Sequence, residues 1–525
     1  MVTSASSAYD YVIKLRDYQE SLVKGIRLSI SAGHRVIICV APTGAGKTTI
    51  FSKITQGAAE KKNKVLLLSH RQELVSQSAD TLSRFGITHE IIAPASIRAA
   101  IASALVKKFG RPMVDRLSTV RTASVQTLAA RLTADLKKAA NDAEFESKEK
   151  PPTWVPDVLI VDEGHHATEG SSWGKVIEYY QRWNPKLLVL LFTATPVRLD
   201  GRGLGKGHGG YATDMVIGPS IGWLIERGFL CKTVVYAPSK TLDLSNVKKK
   251  FGDYAKGDLE KAIDKPTITG DAVKHYAKIC PREPAVAFCA SIAHAEHVAE
   301  EFRSKGFRAI SVNGKTPDDV RRKALEDLAN GSIHVLCSAD LIGEGVDVPA
   351  VKVAILLRPT QSLSLYIQQV GRVLRPAPGK EFAIILDHVG NTSVHGFIDD
   401  DRNELWTLEG LVKKKGKAGQ NQVAPSIQNC PKCGALHKPA LACPVCQHVY
   451  KVKIRNMETI DEELVFIDEA DAERIREARR REQKREVGKA QTLEDLQRIE
   501  KERGYKPGWA KHIWKARQGR QRSVA

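Results

Sequence analysis

At 525 residues, 42% hydrophobic and 27% charged, the chain exceeds one ordinary core and reads as soluble and globular with two or three domains. No stretch approaches the roughly 20 apolar residues a bilayer span needs, and the N-terminus lacks a basic-then-apolar export signal, so a cytoplasmic protein without membrane contact is expected. Its 80 Lys and Arg against 60 Asp and Glu leave a net charge of +20, which makes a polyanion the natural large partner.

From about residue 15, short β-rich runs alternate with helical patterns: RVIICVAPTG, KVLLLSH, DVLIVDE and KLLVLLFTATP. Continuous apolar runs separated by helices are what a parallel sheet covered on both faces requires. They assign residues 1–235 to a first α/β domain. Within it, the polar segment 136–152 reads as a surface insertion, and the glycine-rich GRGLGKGHGG (201–210) as a mobile loop. A second series, AVAFCAS, FRAISVNG, IHVLCSAD, VKVAILLRP and EFAIILDH, assigns residues 236–408 to a second α/β domain. A basic linker (409–424), a cysteine cluster (425–452) and a charged, mostly helical tail (453–525) follow, with 468–486 reading as a solvated helix.

The run APTGAGKTT follows a strand and opens a helix, the setting that turns glycines into a phosphate cradle. Pro42, Thr43, Gly44, Ala45, Gly46, Lys47, Thr48 and Thr49 would line it, with Lys47 neutralising β/γ oxygens of ATP and Thr48 placing a hydroxyl on Mg²⁺. Ala41 stands where the usual pattern has its first glycine. Downstream, VDEGHH pairs two carboxylates with two histidines, which alone would suit either a metal hydrolase or a nucleotide site. The phosphate loop favours the second: Asp162 to hold Mg²⁺ and Glu163 to orient and deprotonate water. The H-E-x-x-H spacing of a zinc hydrolase is absent, and His166 reads as structural or surface.

Zinc belongs further on, in CPKCGALHKPALACPVC. Two C-x-x-C knuckles, Cys430 with Cys433 and Cys443 with Cys446, can wrap one tetrahedral ion and leave no open position, so the site should be structural; an iron–sulfur cluster is the runner-up. His437 and His448 are expected to be spectators. The other five cysteines, Cys39, Cys231, Cys280, Cys289 and Cys337, read as reduced packing residues. In the tail, Trp509 and Trp514 lie among Lys and Arg, suited either to base stacking beside phosphates or to packing.

The order of motifs resembles that of superfamily 2 helicases of the DEAD/DEAH-related group, over about residues 15–375. That resemblance implies two tandem RecA-like domains of parallel-sheet α/β class, here followed by the four-cysteine ribbon and basic tail. It implies that Gln19 in LRDYQE reads adenine, and that His70 and Arg71 in LLSHRQELVSQ and Gln126 and Thr127 in TASVQTL grip a nucleic-acid backbone. His165, with Thr193 and Thr195 of FTATP and Gln368 of QQVGRVLR, would couple hydrolysis to strand movement. Gly345 and Asp347 in SADLIGEGVDVP would face the nucleotide, and Arg372 and Arg375 would reach the γ-phosphate. VDEGH has Gly164 where the related box has alanine. The ribbon behind the second domain and the phrase LLRPTQSLSLYIQQVGRVLRPAPGK resemble bacterial RadD-like repair helicases and related bacteriophage helicases. The expected activity is an ATP-dependent DNA helicase or translocase in repair, recombination or phage replication, working on single-stranded or branched DNA and alongside a single-strand-binding protein or other repair and replication proteins. An RNA helicase and a nucleotide-switched binding module are the alternatives.

Overall fold

The computed structural model describes residues 13–70, 72–132, 152–198, 201–238, 247, 249–250, 253–254, 259, 262–263, 266–339, 349–411 and 427–450, and in the tail 477, 481, 485–490, 492–502 and 508–522. The expected insertion, apart from residue 152, and most of the basic linker and of the charged run at 468–486 lie outside the described residues. The chain divides into two compact units, Met1–Tyr450 and Lys451–Ala525.

In the first unit, strands β1 (Val36–Val40), β2 (Val65–Ser69), β3 (Glu90–Ile92), β4 (Val120–Ser124), β5 (Val158–Asp162), β6 (Leu188–Thr193) and β7 (Asp214–Ile217) form one sheet in the order β3-β4-β2-β5-β6-β1-β7. All its pairings are parallel. Every residue of β1, β2 and β5 is buried, because both faces are covered, which explains continuous apolar runs in place of alternation. The strands' two-residue period splits them between two cores: Ile37, Cys39, Leu67, Ile160 and Phe192 face one, and Val36, Ile38, Leu66, Leu159 and Val161 the other.

The second sheet is built from β8 (Lys232–Tyr236), β11 (Ala285–Cys289), β12 (Ala309–Val312), β13 (Val335–Ala339), β14 (Val353–Leu356) and β15 (Phe382–Asp387), in the order β12-β13-β11-β14-β15-β8, again all parallel. A two-residue antiparallel ladder joins β9 (Lys249–Lys250) to β10 (Asp253–Tyr254), and another joins β16 (Trp406–Thr407) to β17 (Gly410–Leu411). β8 straddles the expected boundary at 235 yet pairs whole with β15, so the second domain begins before Lys232. The core that takes Ile37 and Phe192 continues through Phe288, Leu356 and Val370 of the second domain. The cysteine-rich segment adds β18 (Gln428–Asn429) and β19 (Leu436–His437), and Leu436 pairs antiparallel with Val235, covering the open edge of β8.

The glycine-rich segment 201–210, expected to be mobile, is a packed seam. The Gly203 N–H donates to the Glu409 carbonyl (2.8 Å) and the Gly205 N–H to the Leu408 carbonyl (2.8 Å). Leu204 is fully buried in the second core, where Leu408 packs against it. Here glycine provides close approach: a Cβ on Gly203 would overlap the Leu408 carbonyl oxygen.

In the second unit, helices Leu493–Glu502 and Trp509–Arg522 pack around Ala490, Leu496, Ile499 and Ala510. Thr492 and Asp495 cap the first helix reciprocally, each backbone N–H donating to the other's side chain at 3.1 Å. The Glu500 carboxylate accepts the Gly508 and Ala510 N–H groups at the start of the second helix. No helix among the described residues is long and apolar enough to cross a membrane.

The seam makes a test. Gly203→Ala is expected to cost about 1–3 kcal/mol, the usual range for overpacking, and to lower the denaturant midpoint of the first unit. A wild-type midpoint would show that segment 406–411 does not press on this loop.

Candidate functional site

The carboxyl ends of the adjacent strands β5, β6 and β1 deliver Asp162, Thr193 and the phosphate loop to one crevice, where parallel α/β sheets place their ligands. The Ala41 N–H donates to the Thr193 carbonyl (2.9 Å), so the residue replacing the usual glycine anchors the loop to β6. The Ala45 N–H turns back to the Pro42 carbonyl at 3.1 Å. Gly46, at φ 79°, caps the helix Lys47–Glu60, whose first turn holds half-buried Lys47, Thr48 and Thr49. Its free N–H groups form an anion-binding terminus.

Gln19 lies against this loop. Its Nε2 donates to the Ala45 carbonyl (3.0 Å), its Oε1 accepts the Arg16 N–H (3.0 Å), and the Tyr18 hydroxyl donates to the same Ala45 carbonyl (3.0 Å). A Cβ on Gly46 would sit 2.6 Å from Gln19 Nε2, so the loop has room for this contact only as glycine. Beside Tyr18 opens a cavity of ≈ 560 Å³ lined in part by Tyr18, Trp223, Arg227 and Phe229. The Arg16 guanidinium covers the Phe229 ring at 4.7 Å and Arg227 the Trp223 ring at 4.8 Å.

Asp162 and Glu163 are each 8% exposed. Burial, then the neighbouring Glu163 charge, raise the Asp162 carboxyl to about 6 against the opposing pull of Lys47, the Glu163 N–H and Arg372. Glu163 holds a left-handed backbone, φ 52°, which costs a non-glycine residue about 1–3 kcal/mol. Its Oε2 is buried with no hydrogen-bond partner among the described residues, and His165 Nδ1 lies 3.5 Å away. An orphaned carboxylate oxygen in a crevice is a place for a water molecule. With the Thr48 hydroxyl and the Asp162 carboxylate, the oxygen donors suit magnesium. Gly164 departs from alanine for lack of space, since a Cβ there would come within 2.7 Å of Leu191 Cβ.

A chain of buried hydroxyls leaves this centre. His165 Nδ1 meets Thr193 Oγ1 at 3.1 Å, the Thr195 N–H donates to Thr193 Oγ1 at 3.1 Å, and Thr195 Oγ1 meets Ser364 Oγ at 2.6 Å. Ser364 belongs to the second domain's helix Leu363–Gly371, one turn before buried Gln368. The end of that helix presses on the phosphate loop: a Cβ on Gly371 would lie 2.7 Å from Thr43 Cβ. Arg372 follows at once, close enough for its charge to bear on Asp162, and Arg375 Cγ lies 3.8 Å from the Cβ position of Gly44. Burial lowers Arg375 to about 10 and Lys380 to about 8. Lys380 Nζ donates to the carbonyls of Arg375 (2.8 Å) and Val351 (2.6 Å), fixing the backbone that carries the arginine. Ser364 and Lys380 lie within the phrase LLRPTQSLSLYIQQVGRVLRPAPGK, but the sequence assigned neither a role.

His70 and Gln126, at the ends of β2 and β4, meet at 3.1 Å, with Gln126 exposed. The Thr127 hydroxyl is bonded to Ser124 at 2.8 Å. Arg71, Gly345 and Asp347 lie outside the described residues. Trp509 and Trp514 are half-buried and pack into the tail's own small core.

The sulfurs of Cys430, Cys433, Cys443 and Cys446 all lie within 4.8 Å of one another. Cys430 and Cys446 are 3.6 Å apart and Cys433 and Cys443 3.8 Å. A zinc–thiolate tetrahedron with ~2.3 Å bonds has edges of about 3.8 Å, so the four donors fit zinc. The two knuckles repeat one turn, with Gly434 at φ 76° and Gln447 at φ 57°. Burial disfavours a charged Cys430 sulfur, but the N–H groups of Cys433 and Lys432, with Tyr450 and Cys446, bring the thiol below its usual range, while the neighbouring Cys433 thiol moves up. His437 is engaged elsewhere, with the Tyr450 hydroxyl and the Lys438 carbonyl, each at 2.7 Å. The five remaining cysteines are buried and outside any disulfide, as expected of reduced packing residues.

Residues 12–198 match the family described as type III restriction enzyme, res subunit, and residues 271–377 the helicase conserved C-terminal domain. A 51.5 kDa protein of a Lactococcus phage is 32% identical over 415 residues, 79% of this chain and 78% of that protein. The protein bearing the ATP-dependent helicase name IRC3 in Saccharomyces cerevisiae is 28% identical over 392 residues, 72% of this chain and 52% of its own length. The chain thus spans about half of that yeast relative. A solved fragment described as an HsdR subunit of a type I restriction enzyme from Vibrio vulnificus shares the fold, with TM-score 0.51, 19% identity, and coverage of 76% of this chain and 67% of that one.

Metal analysis tests the sulfur site. The purified protein is expected to carry about one zinc per chain, as a closed four-thiolate site implies, and Cys443→Ser to lose it with a lower unfolding temperature. Wild-type protein free of zinc would remove the assignment.

Proposed function

The chain belongs to helicase superfamily 2 and is a nucleic-acid-dependent ATPase of that superfamily, and we propose that it couples ATP hydrolysis to movement on, or remodelling of, DNA. The observation that carries this reading is the contact across the cleft, in which Gly371 abuts Thr43 and Ser364 bonds Thr195. It brings Arg372 and Arg375 to the phosphate loop only when the two domains are closed.

In this reading the loop's N–H groups and Lys47 hold the β- and γ-phosphates. Thr48 and Asp162 would hold magnesium, which supplies charge neutralisation at the phosphates. Glu163 orients a water and takes its proton as the water oxygen bonds to the γ-phosphorus. The bond from that phosphorus to the bridging oxygen breaks, and ADP leaves. Arg372 and Arg375 stabilise the charge that develops, a role worth ~10³ to 10⁵ in rate where such arginines have been measured. Tyr18, Phe229 and Trp223 offer the base an aromatic wall beside Gln19. The chain His165–Thr193–Thr195–Ser364 links the carboxylate to the second domain, so loss of the γ-phosphate loosens closure and the bound strand shifts.

DNA is favoured over RNA by the match to a restriction-enzyme family, and the net charge of +20 suits either polyanion. A place in repair, recombination or phage replication, in a bacterial or phage-infected cytoplasm, is consistent with the phage relative. The four cysteines hold zinc in a structural role.

Hydrolysis measured in parallel with single-stranded, duplex and forked DNA and with RNA tests the proposal. DNA is expected to stimulate turnover; stimulation by RNA alone overturns the choice of DNA, and stimulation by neither overturns the motor. Glu163→Gln is expected to lower stimulated turnover by about 10²–10⁴-fold, the range for loss of a general base, while an ATP analogue still binds. Retained turnover would reassign the water-activating carboxylate.

A further inference from the structure

The sequence gives His166 no metal-ligand spacing, and the fold places its ring between His165 and His70. It lies 4.1 Å from the His165 ring, stacks on Trp173 at 5.0 Å and 28°, and faces His70 at 5.5 Å. Trp173 in turn stacks on His70 at 5.1 Å and 24°. One end of this array is His165, bonded to Thr193 and 3.5 Å from the Glu163 carboxylate. The other is His70, bonded to exposed Gln126.

Trp173 is the fixed wall of the array. It is 8% exposed in the first turn of the helix Ser172–Trp183, which Ser171 caps by accepting the Gly174 N–H at 3.0 Å. A Cβ on Gly174 would overlap the Thr168 carbonyl and the Tyr211 hydroxyl, so the helix start is locked onto the segment just after His166. The Trp173 Nε1 is buried with no hydrogen-bond partner among the described residues, which marks the residue as held for its ring. Rings in van der Waals contact at these separations transmit displacement, so a shift of His70 bears on His166 and, through it, on His165.

We propose that His166, braced by Trp173, is a positioning residue that transmits strand occupancy at His70 and Gln126 to the setting of His165 and Glu163. The inference rests on the reading of the protein as a strand-stimulated ATPase. It assigns the transmission to packing of the ring, so a phenyl ring of similar size should serve.

The test compares wild type, His166→Ala and His166→Phe, measuring ATP hydrolysis with and without single-stranded DNA and, separately, DNA affinity by fluorescence anisotropy. In His166→Ala the ratio of stimulated to unstimulated hydrolysis is expected to fall by at least about fivefold, the low end of coupling between distinct sites, with unstimulated hydrolysis and DNA affinity unchanged. His166→Phe is expected to restore the ratio. A wild-type ratio in His166→Ala overturns the inference, as does loss of unstimulated hydrolysis or DNA affinity in proportion to the ratio. Failure of His166→Phe to restore a lost ratio also overturns it. Wild-type protein that DNA does not stimulate overturns the functional reading and this inference together, whereas stimulation in wild type and His166→Ala alike overturns the inference alone.

Discussion

The site depends on a residue with no side chain meeting one with a short branched side chain. Gly371 ends the helix Leu363–Gly371 directly against Thr43, and a single added carbon would stand 2.7 Å from Thr43 Cβ. Any larger residue would push the second domain off the phosphate loop and carry Arg372 and Arg375 with it. The same helix sends Ser364 to Thr195, and Lys380 holds the carbonyl of Arg375, so one rigid piece presents the arginines and senses the first domain's hydroxyl chain. Closure is therefore a steric fit first and an electrostatic one second. The charges gain strength to the extent that the fit takes them out of water, and burial lowers Arg375 to about 10.

Electrostatics sets the opposite tendency. Asp162 and Glu163 are buried side by side, and burial together with the Glu163 charge raises Asp162 to about 6. A carboxyl whose folded value stands above its unfolded one destabilises the fold when ionised: the penalty is absent below the unfolded value of 3.8 and complete above about 6. Lys47 and Arg372 offset part of it, and a divalent cation held by Asp162 would offset more. Arg372 arrives from the other domain, so closing the cleft and filling it relieve the same buried charge.

The parts of this site legible in the sequence are those encoded by neighbours along the chain. The phosphate loop and the two cysteine knuckles are local strings whose spacing states a geometry, the Asp162–Glu163 pair takes its reading from the phosphate loop upstream, and the buried parallel strands announce themselves by unbroken apolar runs. Outside the motifs, residues whose role depends on a distant partner were not legible. Ser364 is one serine in an apolar helix until Thr195 is placed opposite it, and Lys380 is an ordinary surface lysine by type until burial turns it onto carbonyls. Glycine misled most: in 201–210 it reads as freedom, but at Gly203 it permits a backbone seam with residues 408 and 409. The strand at 232–236 follows the first domain in sequence and pairs with β15 of the second, a choice made by sheet edges and invisible to local pattern.

That strand also binds the cysteine-rich ribbon to the chemistry. Leu436 pairs with Val235 on β8, while just upstream of β8 Leu230 packs within 2.7 Å of the Cβ position of Gly44, and the Cys231 N–H donates to the Leu374 carbonyl at 2.8 Å. An exposed edge strand of a parallel sheet frays and invites foreign pairing unless it is covered. The ribbon covers it, and Lys438 adds ion pairs to Asp399 and Asp400 at 3.2 and 2.9 Å. Four sulfurs gathered around one ion would thus hold β8 in register, and β8 in register keeps Leu230 and Leu374 where the phosphate loop and the arginines need them. In the proposed reading a closed thiolate site with no reactive position would still bear on hydrolysis, because one strand is both the edge of the ribbon and the approach to the phosphate loop.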